Sequence, residues 1–69
     1  MSQTAAQLKA AWETSPDKLA GAFCVVLVDF GYDVDAEHVR NWIAGYYSGA
    51  PPQGGPAMFV HGWLKKGID

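Results

Sequence analysis

Only a few side chains in the 69-residue sequence are suited to catalysis. Cys24 with His38 or His61 would make a nucleophile and base pair if folding brought them together. Cys24, however, lies within a strongly apolar run, where a lone cysteine packs as a small hydrophobic side chain. We therefore predict no catalytic residues, no enzyme activity and no small-molecule substrate.

The acidic residues in the middle of the chain have the opening spacing of a calcium-binding loop. Asp33, Asp35 and Glu37 alternate with other residues, as the first three ligands of such a loop do. The loop also needs a glycine at its sixth position and a glutamate at its twelfth, where this chain has His38 and Ala44. A single cysteine also excludes a two-cysteine metal site. We expect neither a metal ion nor a cofactor.

Residues 34–45 predict a short capped helix with one apolar and one polar side. Asp35 is suited to cap its first turn, and Val34 and Val39 have the spacing of a hydrophobic staple. Apolar residues at three- and four-residue steps, such as Val39 and Ile43, form the side that must be buried. A helix docked on one side and polar on the other suits recognition. Its polar side chains are Glu37, His38, Arg40 and Asn41.

Three further helices are predicted around this one. Start and stop signals place four helices at about residues 5–13, 16–30, 36–47 and 56–66. Thr4 or Ser2 can cap the first helix, while Pro16 and Pro56 suit the first positions of the second and the fourth. We therefore predict an all-α fold, a compact bundle of four short helices.

The second of these helices is apolar on nearly every side, which predicts a central position. Its strongest stripe includes Phe23, Val26 and Phe30, and Val25 and Val28 lie on the opposite side. The alternative for residues 23–28 is a buried strand, since the run is continuous and β-branched. We favour the helix because the run follows a good cap and no partner strand is evident.

Length and composition predict a single small helical domain, residues 1–69, with a flexible loop at 48–55. The sequence is 49% hydrophobic, and Trp12, Trp42 and Trp63 predict a Trp-rich core. Gly62 is costly inside a helix, so we expect it to mark a close approach of another helix.

The N-terminal residues lack the basic start and apolar core of a signal peptide. The longest apolar run, residues 19–30, is too short to cross a bilayer. We therefore expect a cytoplasmic protein with no membrane association. The formal net charge of −2 limits the electrostatic contribution to nucleic-acid binding.

Residues 19–45 resemble the helix-turn-helix, a DNA-binding motif of bacterial and phage proteins. The likeness is most specific in Val34-Asp35-Ala36-Glu37-His38-Val39-Arg40-Asn41-Trp42, where a cap leads to a buried aliphatic residue and a Trp three residues later. The resemblance implies transcription regulation, with the second helix of the motif in the major groove of duplex DNA. It implies groove-facing roles for Glu37, His38 and Asn41. Arg40 would contact a phosphate or a guanine edge. The simpler alternative is two packed helices with a capped entry.

A second hypothesis is a non-enzymatic protein–protein interaction module, such as a small accessory or phage-encoded protein. Nine aromatic residues exceed what one core of this size covers easily, so some should lie on the surface and mark an interface. Under either hypothesis we expect a homodimer. Its expected contacts are Tyr46, Tyr47 and Trp63.

Overall fold

A computed structural model describes residues 2–68 as four α-helices. These are α1 Ala5–Thr14, α2 Pro16–Asp29, α3 Ala36–Tyr47 and α4 Pro56–Lys66. The predicted all-α fold is confirmed, and residues 23–28 lie inside α2 rather than in a strand. Within residues 2–68, extended pairing is limited to one antiparallel bridge between Gln3 and Ile68.

Local capping explains where α1 and α3 begin. The Thr4 hydroxyl accepts a hydrogen bond from the Gln7 N–H, and the Gln7 side chain accepts one from the Thr4 N–H, which completes a capping box. The Asp35 carboxylate accepts a hydrogen bond of 2.9 Å from the His38 N–H and caps α3. Ser15 precedes α2 without a side-chain capping bond, so Pro16 is the clearest start signal there.

The four helices form a ring whose main contacts are α1 with α2, α2 with α3, α3 with α4, and α4 with α1. Aromatic rings also meet across it, Phe23 with Trp63 and Trp12 with Tyr47. The centre of the ring is aliphatic apart from one phenylalanine. Trp12, Trp42 and Trp63 are partly buried and pack against this centre from its edge. The buried core residues shared by the four helices are Leu8, Leu19, Ala20, Phe23, Leu27, Val39, Ile43, Val60 and Leu64.

The prediction that α2 is central was wrong. Val25, Val28 and Phe30 are exposed, and Val26 is only half-buried. The ring explains this outcome, because a helix whose main contacts are with two neighbours keeps one side toward solvent. Helix α2 therefore carries more apolar surface than its neighbours cover.

The two ends of the described chain meet beside α4. The Gln3 N–H donates to the Ile68 carbonyl at 2.7 Å, and the Ile68 N–H donates to the Gln3 carbonyl at 2.8 Å. Gly67 makes this return possible with a φ of +92°, a conformation that favours glycine. The predicted close approach at Gly62 was wrong, since a Cβ placed there would meet no heavy atom within 4 Å. Across residues 2–68, every helix is too short or too polar to span a membrane.

Candidate functional site

Two exposed aromatic rings meet where the end of α2 meets the start of α4, and the exposed Met58 precedes one of them in the sequence. Phe30 is 60% exposed, Met58 59% and Phe59 42%. The partly buried rings of Tyr32 and Trp63 lie beside them. We call these five residues the aromatic patch.

The rings of the aromatic patch touch one another across the two helices. The ring centroid of Phe59 lies 6.0 Å from that of Phe30, 5.8 Å from that of Tyr32 and 6.1 Å from that of Trp63. Trp63 also packs edge-to-face on the buried ring of Phe23, with 5.2 Å between centroids. Such tilted contacts are favourable for aromatic pairs, and here they hold the exposed rings on a buried ring of the core.

The sequence of α4 explains why Phe59 is exposed. Ala57, Val60 and Leu64 lie on one stripe of the helix and are buried. Phe59 and Trp63 form a second stripe one turn apart, and the core cannot receive both stripes. Two apolar stripes on one short helix were the sequence signal for this surface. The sequence prediction did not draw that conclusion, so Phe30, Met58 and Phe59 were missed as site residues.

A groove extends from the aromatic patch along α2 towards the bridge between the chain ends. Its volume is about 470 Å³, and its walls include Val26, Phe30, Trp63 and Ile68. Phe23 and Leu19 also line it, so most of its surface is hydrocarbon. The aromatic patch is thus a raised edge of rings beside an apolar depression, and a protruding apolar side chain would fit there.

Two acidic residues adjoin the part of the aromatic patch that follows α2. Asp29 precedes Phe30, Asp33 follows Tyr32, and both carboxylates are exposed. The sequence has no lysine or arginine between Lys18 and Arg40. No ion pair among residues 2–68 involves Asp29 or Asp33. The patch therefore has exposed negative charge beside Phe30 and Tyr32, while Lys65 and Lys66 follow Trp63 in the last turn of α4.

The structure places the four predicted DNA-binding residues near one another on α3. Glu37, His38, Arg40 and Asn41 are all exposed. The His38 ring stacks on Trp42, with 6.2 Å between centroids, and its Nδ1 lies 3.0 Å from the carboxylate of the capping Asp35. These groups are therefore held close to the first turn of α3, where Asp35 and Glu37 place negative charge.

Arg40 is already engaged within the chain. Its guanidinium donates a hydrogen bond to the carboxylate of Asp17 in the first turn of α2. The pair joins the two helices of the predicted motif. A phosphate would have to compete with this carboxylate for Arg40, since both are anionic acceptors of guanidinium hydrogen bonds.

The predicted interface tyrosines are part of the packing between helices. Tyr47 stacks on Trp12 with 6.1 Å between ring centroids, and Tyr46 packs edge-to-face on Tyr47 and on His61. Burial raises the pKa of Tyr47 above that of an ordinary tyrosine, and the charges of Tyr46 and Glu13 raise it further. The predicted dimer contacts at Tyr46, Tyr47 and Trp63 stay a prediction, and of the three only Trp63 belongs to the aromatic patch.

Cys24 is half-buried and contacts the chain rather than a histidine. Its Sγ lies 3.5 Å from the Val34 carbonyl oxygen, across the connection between α2 and α3. Within residues 2–68, no three His, Cys, Asp or Glu side chains are grouped so that they could hold a metal ion.

No protein-family model, curated protein or solved structure matches this chain.

Proposed function

We propose that this protein is a non-enzymatic interaction module that binds a partner protein through the aromatic patch. The observation that carries the proposal is the joint exposure of Phe30, Met58 and Phe59 on a chain of only 69 residues. Exposed apolar side chains scattered singly are ordinary, but the exposed rings of Phe30 and Phe59 are in contact, and a joined group of this kind marks an interaction surface. Aromatic residues and methionine are also the types enriched at the centres of interfaces.

The patch is suited to act as an anchor because its rings are held in place before binding. Trp63 rests on buried Phe23, and Phe59 rests on Trp63, so a partner would meet a supported surface. Ordering of side chains on binding costs roughly 0.5–1.5 kcal/mol for each immobilised group. For rings already packed against a core, part of this ordering has occurred on folding.

The charge beside the patch selects the chemistry of the partner. Asp29 and Asp33 lie on either side of Phe30 and Tyr32 in the sequence, and neither is in an ion pair within residues 2–68. A partner segment with apolar anchors and flanking lysine or arginine would match both features. An acidic segment with the same anchors would be repelled.

The proposal can be tested by selecting binders from a random peptide library displayed on phage. The expected peptides carry two or more apolar anchors flanked by lysine or arginine, and Phe59→Ser weakens their binding about tenfold or more. Val25→Ser is the matched control, because Val25 is also exposed and apolar but lies outside the aromatic patch. Failure to select any binder would contradict the proposal. Peptides without basic residues, or binding that survives Phe59→Ser, would also contradict it.

DNA binding by α3 is the second candidate function. One observation favours it: the four residues that the helix-turn-helix resemblance selects are all exposed on a helix that packs against α2. The ion pair between Arg40 and Asp17 and the acids at the start of α3 are the features that DNA would have to overcome. The proposed protein interaction has no such obstacle, which is why we rank it first.

A further inference from the structure

The outer side of α2 carries a line of four exposed residues that does not belong to the aromatic patch. Lys18, Ala22, Val25 and Asp29 follow one another at steps of four, three and four residues, so they share one side of the helix. Val25, at 62%, is the most exposed large hydrophobic residue described. We call these four residues the α2 stripe.

The α2 stripe is complementary to itself when two copies run in opposite directions. Lys18 and Asp29 lie at equal distances from the midpoint between Phe23 and Cys24, and so do Ala22 and Val25. In an antiparallel pair of helices, Lys18 would face Asp29 of the partner subunit, and the same contact would recur at the other end. A parallel pair would place like charges opposite each other. A repeated contact of this kind is what a two-fold symmetric interface requires.

The charges of Lys18 and Asp29 both destabilise α2 when the chain is alone. Lys18 lies in the first turn of α2 and Asp29 is its last residue, so each has the sign that the helix dipole disfavours at that end. No ion pair within residues 2–68 compensates for either charge. An antiparallel second copy would supply the missing partner for both charges.

The surroundings of the stripe permit close packing. Gly21 lies beside Ala22 and Val25 on the outer side of the helix, and a Cβ added to it would meet no heavy atom within 4 Å. Small residues let two helices approach closely. The exposed side chains of Val25 and Val28 supply apolar area on either side of Gly21. Covering these valines is favourable because it removes hydrocarbon from water.

We propose that the chain forms a two-fold symmetric homodimer by antiparallel packing of the α2 stripe against a second copy. This inference does not rest on the proposed function: the α2 stripe contains none of the aromatic patch, and the two proposals share only Asp29. The contact is limited mainly to one helix per subunit, so the dimer is weak, with a dissociation constant of about 100 µM.

The test is a pair of charge reversals studied alone and then mixed. Lys18→Asp would place two acids opposite each other at both ends of its homodimer, and Asp29→Lys would place two bases there. Sedimentation equilibrium gives the dissociation constant of the dimer, and for each variant alone this constant should be at least about tenfold higher than for the natural chain. An equimolar mixture should associate again. In the mixed dimer, both stripe charges of the K18D chain are acidic and both of the D29K chain are basic, so opposite charges meet at each end.

Both reversals should fold, since each replaces a charge that opposes the helix dipole with one that favours it. Circular dichroism and a thermal scan of each variant verify this. Lys9→Asp and Glu37→Lys are controls that change exposed charges of the same sign elsewhere, and they should leave association unchanged. A natural chain that stays monomeric at about 1 mM, single variants that still dimerise, or a mixture that stays monomeric would each overturn the proposal.

Discussion

The Asp17 carboxylate in the first turn of α2 accepts a hydrogen bond from the Arg40 guanidinium on α3. The two side chains are 82% and 47% exposed, so the pair contributes at most about 1 kcal/mol to stability. Its larger consequence is for recognition, because it neutralises the base on α3 that DNA would use. The same contact that joins the two helices thus opposes the function that their resemblance implies.

This pair gives a sharp prediction for DNA binding. If α3 binds duplex DNA, Asp17→Asn should strengthen the binding severalfold, since it removes a competing carboxylate and leaves Arg40 free. Arg40→Ala with Asn41→Ala should abolish binding. Fluorescence anisotropy with a mixed-sequence duplex at low salt measures both effects, and affinity should fall steeply as salt rises.

Asp33→Asn is the matched control for that experiment, because it removes an exposed acid of the same type outside the ion pair. Asp33→Asn should change the affinity for DNA less than Asp17→Asn does. Undetectable binding by both the natural chain and Asp17→Asn at low salt would remove DNA recognition as a function.

Phe23 and Phe59 should differ sharply in their contribution to stability. Phe23 is 2% exposed and belongs to the core, so Phe23→Ala should lower the free energy of unfolding by about 3–5 kcal/mol. Phe59 is 42% exposed, and Phe59→Ala should cost about 1 kcal/mol or less. Urea denaturation followed by circular dichroism measures both. Similar losses for the two variants would mean that the aromatic patch is a structural element rather than a surface available for binding.

The helices could be predicted from the sequence because their signals are local. Thr4 and Asp35 cap their helices as expected, and Pro16 and Pro56 begin theirs. The predicted bounds of α3 and α4 agree with the observed helices, and those of α1 and α2 differ by one residue. These boundaries depend on the side chains of a few neighbouring residues, all visible in the sequence.

The exposed surfaces could not be predicted in the same way because they depend on how many neighbours each helix has. Helix α2 was expected at the centre on the strength of its composition, yet Val25 and Val28 face solvent. Tyr46 and Tyr47 were expected at a dimer interface, which stays a prediction, and within the chain they are partly buried against other aromatic rings. Which of two apolar stripes is buried is decided by the packing partners, and periodicity along one helix does not specify these.

Tyr47 should make stability fall at alkaline pH. Its hydroxyl is buried and lacks a hydrogen-bond partner within residues 2–68, and burial is the first cause of its raised pKa. The folded state therefore holds the phenolic proton more tightly than the unfolded state. This contribution to stability is complete below the unfolded pKa of about 10 and is lost as pH rises through the folded pKa.

Tyr47→Phe tests this account because it keeps the ring and removes the hydroxyl. At neutral pH the variant should be as stable as the natural chain or up to about 1 kcal/mol more stable, since no buried polar atom is left unpaired. Above about pH 10 its advantage should grow. Urea titrations at about pH 7 and about pH 10.5 measure the difference, with Tyr32→Phe as the control. An equal alkaline loss for Tyr47→Phe and the natural chain would contradict the assignment to Tyr47.

A glycine inside α4 and a glycine directly after it should respond in opposite directions to the same substitution. At Gly67, φ is +92° and an added Cβ would lie 2.6 Å from the Gln3 carbonyl oxygen, which also accepts the Ile68 N–H. Gly67→Ala should therefore destabilise the chain by about 1–3 kcal/mol and separate the two ends. Gly62 lies inside α4 with no heavy atom within 4 Å of an added Cβ, so Gly62→Ala should stabilise by up to about 1 kcal/mol.

Urea denaturation gives the two stabilities, and amide hydrogen exchange at Gln3 and Ile68 reports the bridge directly. In Gly67→Ala these two amides should exchange faster, while the amides of α3 remain protected. In Gly62→Ala the bridge amides should be unchanged or slower. The added Cβ should collide with the Gln3 carbonyl oxygen, which accepts the Ile68 N–H, and so open the bridge. If both amides stayed protected in Gly67→Ala, this account of the bridge would be contradicted.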